Sequence, residues 1–358
     1  MKKIIYIFVL MFLLTACAND QSVKQNTNNV PNTVNTEKEA SSDSTKSLMT
    51  NDDYARLKVN ELGEIPVVMY HALVDENPPT SYQRTRTAFK NDLQYLYDNK
   101  YRLISMNDFV NHNIKVEAGY TPVVFTFDDG EPSDFSLVEN DGKLVVAPDC
   151  AVDILEKFAL KNTDFGKSAT FFINGGESQF KGAGTYKERL KYLVDNGFDI
   201  GNHTYSHSEM SKLSAGKIQE EIGKVDEAIK KAVSGYNVSA LTYPFGIRPK
   251  TDELRQLVQN GEYNGAKYHN DIAFREGPSM PKLLPTIHVK YDMLNAPRLR
   301  GNEDEKDGND MGGYLKKYEK TPERRYISDG DASTIVVPVN EEVNINKERV
   351  GDKKIVTY

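Results

Sequence analysis

An alternation constrains this chain more than any other feature of its sequence. Apolar, β-rich runs recur, with longer segments of helical periodicity between them. The runs "IPVVMY" (65–70), "TPVVFTF" (121–127) and "SATFFI" (168–173) have no polar face, which is how strands covered on both sides read. "RTAFKNDLQYLYDN" (86–99) places Phe89, Leu93, Leu96 and Tyr97 at helical spacing. Segments 150–162, 186–197, 214–233 and 251–261 read as further helices, the last with Thr251 as N-cap. Short strands are expected at 198–202, at 267–274, at 282–289 and at the start of 239–246, which then runs into a loop. This order predicts an α/β fold: a parallel sheet covered by helices and curled into a distorted or incomplete (β/α) barrel.

Barrels of this kind carry their reactive groups just beyond the C-terminal ends of the strands. Those positions are polar here. "TPVVFTF" leads into Asp128-Asp129-Gly130, "FDIGN" into His203 and His207, "SALTY" into Pro244-Phe245-Gly246, and "LLPTI" into His288. The chain has six histidines, and two of them stand four residues apart in "HTYSH", a spacing that aims both rings one way on a helix or tight turn. Adjacent aspartates at a strand end point to opposite sides, so one can ligate a metal while its neighbour faces a substrate. "DDG" alone is also an ordinary turn sequence. A carboxylate with two imidazoles leaves open positions on a divalent metal, and nitrogen-rich ligands favour zinc. The pattern H-E-x-x-H is absent, so a base has to come from elsewhere, and the spare aspartate supplies one.

"TFDDG" (126–130), "HTYSH" (203–207) and "TYPFG" (242–246), with "ATFFI" (169–173) between the first two, resemble successive motifs of the polysaccharide deacetylases, carbohydrate esterase family 4 with the NodB-homology domain. The similarity runs from about residue 60 to 290. "IPVVMYHAL" resembles the lead-in of the lipid-anchored bacterial surface branch. The resemblance implies a barrel of the polysaccharide deacetylase type that removes acetyl groups from an N-acetylated surface polysaccharide. Asp128 would be the general base, and Asp129, His203 and His207 would hold the metal. Tyr243, Pro244, Phe245 and Gly246 would line the substrate site, with a backbone N–H near Phe245 as an oxyanion donor. His288 would be the general acid. Two departures stand out, and one histidine is left open. The arginine that opens the family's third motif falls on Ala240, with Arg248 nearby; the chain has no tryptophan for the fourth motif, whose region holds Asp271; and His71 either lines the site or is a core histidine. A non-catalytic glycan-binding lipoprotein on the same fold is the alternative reading.

The ends set the surroundings. Two lysines, an apolar run from Ile4 to Leu14 and "LLTAC" read as a signal peptide with a lipobox over 1–17, Cys17 being the lipidated residue. Residues 18–60, rich in Asn, Thr, Ser and Lys, read as a disordered tether from the membrane. The catalytic domain is expected over 61–296 and a charged extension with short strands over 297–358. Cys150 has no partner after lipidation, so no disulfide is expected. A net charge of −7 without a basic block argues against nucleic-acid binding. The segment 131–147 is expected to be either a flap over the site or a surface insertion.

Overall fold

The computed structural model describes residues 49–176, 179–276, 282–303 and 310–358. The signal segment, Cys17 and residues 18–48 of the expected tether lie outside the described residues. Strands β1 (Val67–Tyr70), β2 (Tyr101–Leu103), β3 (Thr121–Asp128), β4 (Thr170–Ile173), β5 (Asp199–Asn202), β6 (Ala240–Thr242), β7 (Ile272–Phe274) and β8 (Leu299–Arg300) form one sheet. Its order is β7-β6-β5-β4-β3-β1-β8, with β2 beside the first half of β3. Every pairing is parallel. The two edges approach each other through one segment. Ala296 exchanges backbone hydrogen bonds with Ala273 and Arg275 on the β7 side, and Leu299 and Arg300 then pair with Val68 and Met69 of β1. Residues 296–300 thus span the gap of a curled sheet.

Side-chain alternation along β3 explains how one strand serves both layers. Val123, Phe125 and Phe127 enter the outer core under the helices, and Val124 enters the inner one. Tyr70, Phe127 and Phe171 stack across β1, β3 and β4 at 5.4 and 5.1 Å between ring centres. Each fully buried ring of this kind contributes about 2–3 kcal/mol. The covering helices include α2 (Arg86–Asp98), α4 (Ala151–Lys161), α5 (Tyr186–Asp195), α6 (Ala215–Ala232) and α7 (Asp252–Gln259), capped by Thr85 on α2, Thr185 on α5 and Thr251 on α7. α3 (Met106–Val110) follows β2.

Several boundaries differ from the sequence reading. Asn51–Leu57, placed in the tether, is a helix (α1) closed by a capping box between Thr50 and Asp53. Its Tyr54 packs with Val59, Val336 and Tyr358, which is enough apolar contact to order this turn of chain. The break expected between 296 and 297 falls inside the segment that bridges the sheet edges. The chain beyond it is integral: α8 (Met311–Lys320) adds Met311, Tyr314, Leu315 and Tyr318 to the main core, and Thr334–Val337 pairs with Lys354–Thr357. Segment 282–289 is not a strand. Pro285 has no N–H for a ladder, and Ile287 is buried against Leu62, Ile335 and Val337 instead. Segment 267–274 divides into an antiparallel strand paired with Asn260–Tyr263 and the sheet strand β7. Segment 131–147 contains a hairpin, Leu137–Asn140 with Lys143–Val146, turned by Asp141 and Gly142 at positive φ.

Candidate metal and catalytic centre

The end of β3 turns sharply. Asp128 keeps the inward direction of Thr126, while Asp129 has φ 74° and swings to the cleft. Gly130 follows at φ 65°, where a Cβ would stand 2.9 Å from Gln179 Oε1 and 3.2 Å from Ile173 Cγ2, so only glycine completes this turn. The two aspartates therefore face different partners, as their adjacency requires.

His203 and His207 converge by a loop and not by a helix. Thr204 and His207 both have positive φ (63° and 52°). Glu221 of α6 fixes the loop: its carbonyl accepts from Tyr205 N at 2.9 Å and its carboxylate from Ser206 N and Oγ at 2.7 and 2.6 Å. His203 Nδ1 lies 3.0 Å from the Thr242 carbonyl and 2.5 Å from the Thr242 Oγ1; with its hydrogen on Nδ1, shared with that carbonyl, Nε2 presents a lone pair to the cleft. Asp129 Oδ1 stands 3.5 Å from His203 Nε2 and 3.7 Å from His207 Nε2, and one ligand atom from each residue fits within 4.8 Å. Among the described residues this is the one group of three His, Cys or acidic side chains so arranged. Asn174 donates to Asp129 Oδ1 at 2.8 Å and orients it. Burial pulls the His203 ring down to about 4 and lowers His207, so both are neutral donors at neutral pH. Burial raises the Asp129 carboxyl to about 6; a cation at the cluster would reverse that.

Asp128 is held by a residue that the motifs do not contain. Arg298, in the segment bridging the sheet edges, grips it with two hydrogen bonds of 2.7 and 2.6 Å and adds a third to Thr126 Oγ1 at 3.1 Å. Both side chains of the pair are almost fully buried. Burial pushes the Asp128 carboxyl up, but the Arg298 charge and hydrogen bonds, helped by His203 and His71, outweigh it and hold the group at about 2. The place left empty by Ala240 is thus supplied from 170 residues beyond Asp128. Arg248 faces Asp292 at the surface instead.

The remaining expected residues divide. Tyr243, Phe245 and Gly246 line a cleft of about 280 Å³ with Asp128, Asp129, His203, His207, His71 and Arg298. Tyr243 is buried and donates from its hydroxyl to the Leu294 carbonyl, so it shapes the loop. Pro244 is buried behind the lining. Gly246 has φ 66°, and a Cβ there would overlap the Glu276 carbonyl. His288 is not part of the cluster. It bridges to Ile345 and its Nδ1 accepts from Lys290 N, among the C-terminal elements. His71, at the end of β1, takes the place beside the carboxylates: its Nε2 is 3.9 Å from Asp129 Oδ2, and its buried Nδ1 has no hydrogen-bond partner. Asp271 pairs with His269 away from the cleft. A larger groove of about 860 Å³ lies elsewhere, by Asn111, Arg349 and Lys353, and holds none of the clustered ligands.

Residues 115–266 match the family described as polysaccharide deacetylase. YxkH of Bacillus subtilis is 23% identical over 229 residues, which cover 63% of this chain and 72% of YxkH. The peptidoglycan-N-acetylmuramic acid deacetylase PdaC of Bacillus subtilis is 32% identical over 91 residues, 25% of this chain but only 18% of PdaC. The crystal structure of BC0361, a polysaccharide deacetylase from Bacillus cereus, aligns with 69% of this chain and 67% of its own at 22% identity and a TM-score of 0.49. The matched stretch contains Asp128, Asp129, His203, His207 and the 243–246 loop. The stretch that is similar to the polysaccharide deacetylase family, residues 115–266, thus contains the converging carboxylates and imidazoles.

Proposed function

We propose that this protein is a divalent-metal-dependent N-deacetylase acting on an N-acetylated surface polysaccharide of the peptidoglycan or poly-N-acetylglucosamine type. The observation that carries the reading is the separation of roles within one cleft: a three-residue donor set on one side and an arginine-clamped carboxylate on the other. The donor set fits a cation, since His203 is held in the right tautomer and Asp129 is oriented by Asn174. Asp129, His203 and His207 would hold the ion, with zinc favoured by the two nitrogens. When bound, it would polarise the acetamide carbonyl.

The chain's own residues do the rest. Arg298 keeps Asp128 ionised and fixed, so Asp128 accepts the proton of the attacking water. The backbone N–H beside Phe245 donates to the oxyanion that develops. His71, whose Nε2 is 3.9 Å from Asp129 in the same cleft, gives a proton to the departing amine. The products are acetate and a free amine on the sugar. Because one relative is named for N-acetylmuramic acid deacetylation, wall glycans are among the first substrates to test.

The reading extends to location. Cys17 would carry lipid, and a tether of about 30 residues would let the domain range roughly 30 Å from the membrane. Cys17→Ala should release the protein; unchanged membrane retention would sink the anchor. The test of function is acetate release from N-acetylglucosamine oligomers and from peptidoglycan, with zinc and with a chelator. Chelator-sensitive release supports the reading. Glycan binding with stoichiometric zinc and no acetate would favour a non-catalytic binding protein.

A further inference from the structure

The loop before α2 builds a wall of the cleft that the family motifs do not describe. Thr80, Tyr82 and Gln83 line it together with His71 and Met69. The loop is fixed at both ends. At its root Leu73–Val74 pairs with Arg84–Thr85, and Arg84 is locked to Asp92 by hydrogen bonds of 3.0 and 2.6 Å. At its tip the Tyr82 hydroxyl donates to Glu276 Oε2 at 3.0 Å, and Arg300 donates to Ser81 Oγ at 3.0 Å. Arg300 also stands 3.6 Å from Glu276 and 5.8 Å from the Tyr82 ring centre.

Tyr82 is nevertheless 38% exposed, and its ring meets His71 edge-on at 5.2 Å. Phe245 is arranged in the same way beyond the metal cluster. It is 62% exposed, packs edge-on against His207 at 4.7 Å, and has φ 60°. That backbone conformation costs a bulky residue about 1–2 kcal/mol, and an exposed ring returns little of it through folding. Pairwise contacts link Tyr82 to His71, His71 to Asp129, Asp129 to His207 and His207 to Phe245. Each of the two exposed aromatic residues is thus held against a histidine of the cleft.

We infer that Tyr82 is a specificity-determining stacking platform for the sugar next to the reacting one, with Phe245 serving the sugar on the other side. This rests on the deacetylase reading and narrows its substrate class to an interior residue of an N-acetylated hexosamine chain. A pyranose presents an apolar face of C–H groups, which gains dispersion and burial on an aromatic ring. Because Glu276, Arg300 and the loop root already fix the ring, little side-chain entropy is lost on binding.

The test uses the full chain with zinc and N-acetylglucosamine oligomers from one to five residues. Wild-type kcat/KM should rise steeply up to the trimer, where both neighbours are present. Tyr82→Ala should lower kcat/KM on the tetramer about five- to tenfold through KM, with a smaller effect on the monomer, and Tyr82→Phe should retain most of the tetramer value. If far-UV circular dichroism shows that the alanine variant does not fold, Tyr82→Leu replaces it. Equal losses on monomer and tetramer, or no loss on the tetramer, overturn the proposal. If wild type binds the tetramer by calorimetry without releasing acetate, hydrolysis fails but the platform is judged by affinity. A Kd unaltered by Tyr82→Ala then overturns it, a weakened one supports it, and no wild-type binding overturns it.

Discussion

Replacing Arg298 by methionine is the perturbation with the most definite consequence. The Arg298 and Asp128 side chains are 1% and 2% exposed and share two short hydrogen bonds. Methionine keeps the stem and removes the fork. Asp128 is then a buried carboxylate without its counter-ion, and Thr126 Oγ1 loses a donor. Breaking such a pair from one side costs about 3–5 kcal/mol, a large part of the stability of an ordinary domain. The assay is urea unfolding followed by far-UV circular dichroism, because the chain has no tryptophan to report by fluorescence. Arg298→Met should lower the midpoint accordingly, while Arg298→Lys, a point charge without the fork, should fall between. Combining Arg298→Met with Asp128→Asn removes both charges, so the double variant should lose less than the sum of the singles, with a coupling of about 1–3 kcal/mol. Acetate release should fall in every one of these variants. A single Arg298→Met variant that unfolds at the wild-type midpoint would refute the buried-pair argument. Normal stability loss with normal turnover would instead refute the assignment of Asp128 as base.

Asp128→Asn should retain one zinc per chain by calorimetry and lose turnover at least about a hundredfold; loss of the metal instead would move Asp128 into the ligand set. His288→Ala should leave acetate release near wild type and His71→Asn should reduce it; the opposite order would restore His288 as the acid. His112 is fully buried with both ring nitrogens unpartnered, and burial, with a lesser push from Lys353, lowers it from 6.5 to about 3. The unfolded chain therefore binds this proton first, so the stability tied to a neutral His112 is intact above pH 6.5 and falls towards pH 3 by at most about 1.4 kcal/mol per unit. His112→Asn, chosen because residue 112 has φ 50°, should flatten that part of the urea-midpoint-versus-pH curve; an unaltered slope would show that His112 is not its source. A chain ending at residue 296 should fail to fold, seen as lost far-UV ellipticity, since it lacks Arg298, β8 and α8.

The local parts of this architecture are legible in the chain. A run of apolar residues ending in Asp128-Asp129-Gly130 specifies a buried strand and the turn that splits its two carboxylates. "HTYSH" after a short strand puts two imidazoles at a second strand end, and a parallel sheet brings strand ends together whatever the loops do. These are short-range consequences of period-two alternation and turn chemistry, and they bring two carboxylates and two imidazoles to neighbouring strand ends. Tertiary structure decided what depends on closure. Nothing around Arg298 in "NAPRLRGN" marks it, because its partner lies 170 residues earlier and meets it only when residues 296–300 bridge the curled sheet. The choice between His71 and His288 had the same character. Both follow apolar runs, but "MY" ends a strand of the curled sheet, whereas "LLPTI" is interrupted by Pro285 and spends Ile287 on the C-terminal core. An apolar run says that a segment is buried; only the fold says against what.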